Sequence, residues 1–274
     1  MRGLKMGGFQ AALMRSSARP MARPIAIGFI GALFAVMGQP AHAQVRYSEM
    51  PVGRAYQSCL ALARAKPAAG FEASIAWRDE GGGPAARHCT AIALVGLGQL
   101  EEAAQRLEDL AQNMTGFGVV ERAAVLGQAG KVWLRLNDGT RAYAVLTAAL
   151  KLSDTSAELW VRRGEVLASA GEYWEAIDDF NQSLDRNSTS PDALIFRAAA
   201  YRLLGFAELA ADDIARALAL YPTNPGALAE LGMARNAKGD GARQAWLDAI
   251  NAAPGSPAAD TARAAIERMD VNTQ

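Results

Sequence analysis

Histidine and cysteine are nearly absent from this 274-residue chain, which has two of each: His42 and His88, Cys59 and Cys89. Aromatic residues are scarce at 7%, and no apolar stretch approaches the roughly 20 residues that a membrane-spanning helix needs. Each scarcity excludes something. So few imidazoles remove most acid–base designs that rely on histidine. Cys59, Cys89 and His88 are three donors where a closed structural zinc site takes four, so no metal site is expected. No glycine-rich phosphate loop, nucleophile elbow or dinucleotide fingerprint occurs, and no cofactor is expected. Nor is there a basic stripe with interleaved aromatics, which sets nucleic acid aside as a partner.

What the chain has in abundance is alanine, within a composition that is 51% hydrophobic and formally neutral. Alanine gives up no side-chain entropy in a helix, so this composition favours helices, with apolar material enough for a sizeable core. The first 43 residues stand apart. Arg2, Lys5, Arg15, Arg19 and Arg23 form a basic stretch without an acid, followed by the apolar run Ile25–Val36 and the small residues Ala41 and Ala43. That order reads as a secretory signal cut before Gln44, because the apolar run is too short to cross ~30 Å of hydrocarbon. Met21 opens a complete signal by itself, so Met1 and Met21 both stand as candidate starts. Export would place the mature chain in the periplasm or outside the cell, with no stable membrane span. Taking the five bases from 28 leaves 23 Lys+Arg against 28 Asp+Glu, a net charge of −5.

Three stretches restart a helix: Asp154–Gly164, Ser188–Ala198 and Pro222–Gly232, each beginning 34 residues after the last. Ser190 stands before Pro191, and Asn224 before Pro225. A serine or asparagine oxygen accepts from an amide that the first helical turn leaves unpaired. Proline fits that turn because its missing N–H would have no partner there. The prolines therefore end one helix and begin the next. Within the period, Gly130, Gly164, Ala198 and Gly232 recur midway along the first helix, and a break follows at Gly98, Asn137, Gly171, Gly205 and Gly239. The second helix pairs a small residue (Ala103, Ala142, Ala176, Ala210, Ala242) with a large one four positions on (Leu107, Leu146, Phe180, Ile214, Trp246). Spacing by four keeps both on one face, so that the small residues admit a close neighbour and the large ones fill the seam.

This pattern resembles the tetratricopeptide repeat, a helix–turn–helix unit of about 34 residues. Trp160, Gly164, Leu167, Gly171, Tyr173, Ala176 and Phe180 fall in its register in one unit, and Tyr201, Gly205, Ala210, Ala217 and Pro222 in the next. The resemblance implies an all-α, right-handed α-solenoid of stacked repeats. In that frame 1–43 is the signal peptide and 44–83 an N-terminal segment with an incomplete repeat, its helices near 53–65 and 68–79. About five repeats occupy 84–255, and 256–274 is a capping helix and tail, begun by Ser256 and Pro257, whose charged face suits the end of a stack.

The resemblance also implies a protein-binding module whose first helices line a groove for a peptide or a partner's helix. Its lining positions carry over to Lys131, Glu158, Val161, Glu165, Ile195, Ala199, Arg202, Met233 and Asn236, with Gly127 and Ala229 between them. Some members of the family clamp a partner's C-terminal carboxylate with lysine and asparagine. Val161, Glu165 and Gly127 stand at those places here, and only Lys131 is basic.

Cys59 and Cys89 fall at equivalent places on the first helices of successive units, and an exported chain lives where disulfides persist. A bridge between them and two buried free thiols both fit. His88 reads as packed or solvated. The acidic pairs Asp178–Asp179 and Asp212–Asp213 recur 34 residues apart and read as a solvated helix face, not a catalytic pair. The expected function is a non-enzymatic scaffold or adaptor for other proteins of the cell envelope, with a homodimer left open. Two readings compete with it: a self-associating structural protein, and an enzyme or metal carrier built on His88, Cys59 and Cys89.

Overall fold

The computed structural model describes residues 53–239 and 241–272. The signal sequence, its cleavage before Gln44 and the choice between Met1 and Met21 lie outside the described residues. These residues form thirteen helices and no strand: α1 (Arg54–Ala65), α2 (Pro67–Asp79), α3 (Gly83–Gly96), α4 (Leu100–Asn113), α5 (Val119–Arg135), α6 (Gly139–Leu152), α7 (Ala157–Ser169), α8 (Tyr173–Arg186), α9 (Pro191–Leu203), α10 (Ala207–Leu220), α11 (Pro225–Lys238), α12 (Arg243–Ala252) and α13 (Pro257–Asn272). Among the described residues no helix is long and apolar enough to cross a membrane.

Local chemistry sets the ends of these helices. The side chains of Ser156, Ser190, Asn224 and Ser256 accept from the backbone N–H three residues on, at Leu159, Ala193, Ala227 and Ala259. Proline follows the last three caps as the first helical residue. The first helix of each unit ends in a left-handed residue: Gly98, Gly171, Gly205 and Gly239 have φ between +76° and +86°, which only a residue without Cβ adopts at no cost. Asn137, at +58°, fills the same place in the second full unit, since a short polar side chain tolerates that region. The chain then folds back on itself. The N–H groups of Gln99, Asp138, Glu172 and Phe206 donate to the carbonyls of Leu94, Trp133, Leu167 and Tyr201 at 2.8–3.0 Å, closing the orphan carbonyls of each helix end.

The helices pair as α1 with α2, α3 with α4 and so on to α11 with α12. Each second helix packs on the next first helix, and first helices touch their counterparts in α1–α3, α5–α7, α7–α9, α9–α11 and α11–α13. This is the one-dimensional stacking of an α-solenoid. The seams depend on small residues facing large ones. A Cβ on Gly164 would stand 2.5 Å from the Phe180 ring, and one on Gly130 2.6 Å from Leu146 Cγ. The first unit is tighter than the rest, because Lys66 alone separates α1 from α2, and a Cβ on Gly70 would lie 2.6 Å from the Ala63 nitrogen. At the far end α13 takes the place of a next first helix, burying Ala262 and Ala265 in a group with Trp246 and Ala249.

Candidate functional site

First helices in contact side by side present one shared surface, on which the sequence places its groove. The structure divides those positions into three kinds. Lys131 on α5 is exposed. On α7, Glu158 and Glu165 flank Arg162, whose guanidinium lies 3.8 Å from Glu158, 3.0 Å from Glu165 and 3.7 Å from Asp192 on α9. Arg202 donates to Glu230 on α11 through Nε and Nη2. Burial pushes the Glu230 carboxyl above its ordinary range, and Arg202 draws it back down. Arg202 is therefore held between two units and is not a free cation awaiting a ligand.

Val161 departs from the expectation. It is only 2% exposed and belongs to a core group with Leu184, Ala193 and Leu194, because α9 packs on α7 at that point. It cannot touch a partner. Gly127 and Ala229 are also occupied: a Cβ on Gly127 would meet Leu159 Cδ2 at 2.5 Å, and Ala229 is buried. What stays accessible gathers in the C-terminal half. Ile195 and Ala199 are half-buried on α9, Leu203 one turn on is 52% exposed, and on α11 Met233 is half-buried and Asn236 exposed. Steps of four residues place Ile195, Ala199 and Leu203 on one stripe of the helix. Leu203, Asp192 and Glu230 were not among the expected lining residues; extending the register of Ile195 and Ala199 by one more step of four would have reached Leu203.

Cys59 on α1 and Cys89 on α3 are joined as a disulfide, with Cα atoms 6.1 Å apart. His88 beside it is buried. The Tyr56 hydroxyl of α1 donates to His88 Nδ1 (2.8 Å), and His88 Nε2–H donates to Gln128 Oε1 of α5 (2.7 Å). A carbonyl oxygen only accepts, so these contacts define one neutral tautomer. A bridged pair has no thiolate to offer, and both ring nitrogens are engaged, so these three residues are not a ligand set. Their effect is to tie α1, α3 and α5 together.

Burial lowers the pKa of His88, partly countered by the hydrogen bond to Gln128. The unfolded chain takes up this proton near pH 6.5 and the folded chain only at lower pH. The stability contribution is therefore complete above about pH 6.5 and is lost as pH falls from there toward the lowered folded value. The expected result is a thermal midpoint that drops more between about pH 7.5 and about pH 5.5 in the native protein than in His88→Gln.

The acidic pairs are also corrected. Asp178 and Asp212 face water, but their neighbours, turned about 100° around the helix, face inward. Asp179, 4% exposed, accepts from Nε and Nη2 of Arg163, both at 2.7 Å, and Asp213 accepts from Arg197 in the same way at 2.7 Å. These forked, charge-assisted bonds repeat after 34 residues, inside the units of α7–α8 and α9–α10. They join the two helices of each unit.

Stacked helix pairs of this kind define a helical-repeat protein. No family model and no curated protein sequence matches the chain. Solved structures do share its fold. One is the APC/C hetero-tetramer Cut9–Hcn1, with a TM-score of 0.60 at 16% identity, covering 76% of this chain and 42% of that one. Another is the C-terminal part of a TPR repeat-containing protein from Cytophaga hutchinsonii, at 0.54 and 18%, covering 73% and 80%. MamA from Desulfovibrio magneticus, from residue 41 onward, gives 0.50 and 21%, covering 61% and 93%. Unit length, register and these structural neighbours together make the fold that of a tetratricopeptide-repeat protein.

Proposed function

We propose that the protein is a non-enzymatic scaffold which, after export, holds a peptide or helix of another envelope protein against the inner face of its first helices. The observation that carries this reading is the stripe Ile195–Ala199–Leu203 on α9, with Met233 on the adjoining α11. These apolar side chains stay open to a partner on a surface whose charged groups are largely paired with one another. A partner helix would meet such a stripe with anchors spaced three and four residues apart. The basic and then apolar leader supports export, and the Cys59–Cys89 bridge suits an oxidising compartment.

Cross-linked capture from the native envelope tests the reading. The protein is compared with an Ile195→Glu/Met233→Glu variant whose helicity is checked by circular dichroism. A partner should be recovered with the native chain and lost with the variant, and mass spectrometry of the recovered protein should find Gln44 at its N-terminus. Equal recovery from both samples would place binding elsewhere.

A further inference from the structure

Three positions where α8 and α10 begin break the pattern of the other units. Trp174 stands where they have Glu101, Thr140 and Glu208, Phe206 where they have Gln99, Asp138 and Glu172, and Leu209 where they have Glu102, Arg141 and Glu175. All three are exposed, at 55%, 43% and 46%. The rings of Trp174 and Phe206 meet edge to face across the join between two units, with centroids 5.4 Å apart, and Tyr201 lies 6.5 Å from Phe206. Apolar groups gathered on a surface that is otherwise polar mark an interaction site.

Charge supplies a second observation. Glu172, Glu175 and Asp178 at α8 and Glu208 and Asp212 on α10 are all exposed, and neither 164–185 nor 203–215 contains a lysine or arginine. None of the five forms an ion pair among the described residues, whereas in the earlier units Glu101 and Asp138 pair with Arg141, and Glu102 with Arg106. Acids in a first turn complement the helix dipole. Asp178 and Asp212 lie beyond that turn, so the dipole does not account for them.

We propose that this edge docks a cationic amphipathic helix of a partner protein, its apolar face on Trp174, Phe206 and Leu209 and its lysines or arginines against the five carboxylates. An anionic lipid surface would be repelled by the same carboxylates. A second copy of the chain, at −5 without its leader, would bring like charge. The edge is distinct from the stripe on α9 and does not depend on it.

Fluorescence anisotropy of the purified protein tests this with a labelled leucine/lysine amphipathic helix of about 18 residues, roughly 27 Å long. A leucine/glutamate helix of the same pattern is the control. The leucine/lysine helix should bind and the control should not. Trp174→Ala should weaken binding about 30-fold, as loss of a central aromatic anchor does. Glu175→Lys/Glu208→Lys should turn the preference toward the leucine/glutamate helix, and Ile195→Glu should leave the affinity unchanged. Equal binding of the two peptides, full affinity in Trp174→Ala, or loss in Ile195→Glu instead would overturn the proposal. So would a dimer in sedimentation that Trp174→Ala dissolves, since the occupant would then be a second copy.

Discussion

Replacing Arg163 with methionine should lower the free energy of unfolding by about 3–5 kcal/mol, the usual cost of leaving a buried carboxylate without its cation. Asp179 has almost no access to water and takes both of its strong hydrogen bonds from Arg163. The double variant Arg163→Met/Asp179→Leu should recover most of that loss, because replacing a whole buried ion pair by apolar groups of similar size is close to neutral. Arg163 also lies over the Trp160 ring, 5.0 Å from its centroid, and methionine keeps part of that packing. Urea midpoints of the native protein and the two variants decide the matter. If the double variant is as unstable as the single one, packing and not charge holds α7 to α8.

Phe180→Ala should cost a similar amount, about 3–5 kcal/mol, for a different reason. The side chain is fully buried on α8, faces Gly164 of α7, and stacks on Phe196 of α9 with centroids 6.0 Å apart. Three helices from two units thus share one ring. Gly164 has no side chain to move into the space, so the cavity cannot collapse, and poor collapse is what makes such truncations expensive. In a stack where each unit leans only on its neighbours, weakening one join should also separate the two sides. Unfolding followed by circular dichroism should broaden into two steps; one sharp step at the native midpoint would contradict this account.

How far the sequence reaches depends on whether an interaction is local. Ser190 with Pro191 and Asn224 with Pro225 announce helix starts because the cap and its target amide lie three residues apart. Gly171 and Gly205 announce the turns because a backbone angle is a property of one residue. The partnership of Trp246 with Gly232 follows from a fixed period. What stayed hidden requires the angle between helices. Asp178 and Asp179 are adjacent letters, and which of them meets Arg163, 16 residues before Asp179, depends on how α8 is rotated against α7. Val161 looked available because its own helix leaves it at the surface; α9 covers it. Arg202 looked like a free groove cation because Glu230 lies 28 residues further on and on another unit. Tertiary packing, not pattern, settles such cases, and so the accessible surface turned out narrower than the period alone would draw it.

The bond between Cys59 and Cys89 also has a mechanical meaning. If the two ends of the chain were pulled apart, α1 could not peel from α3 beyond the first turn or so before Cys59, because the sulfurs form a covalent tie. At the other end α13 is held only by alanines, Ile266 and Met269 against α12 and α11, contacts that yield one side chain at a time. Tension would therefore enter the stack from one direction. The stripe on α9 and α11 lies toward the end that gives way, so a partner seated there would be released by a steady load long before the tethered N-terminal helices felt it.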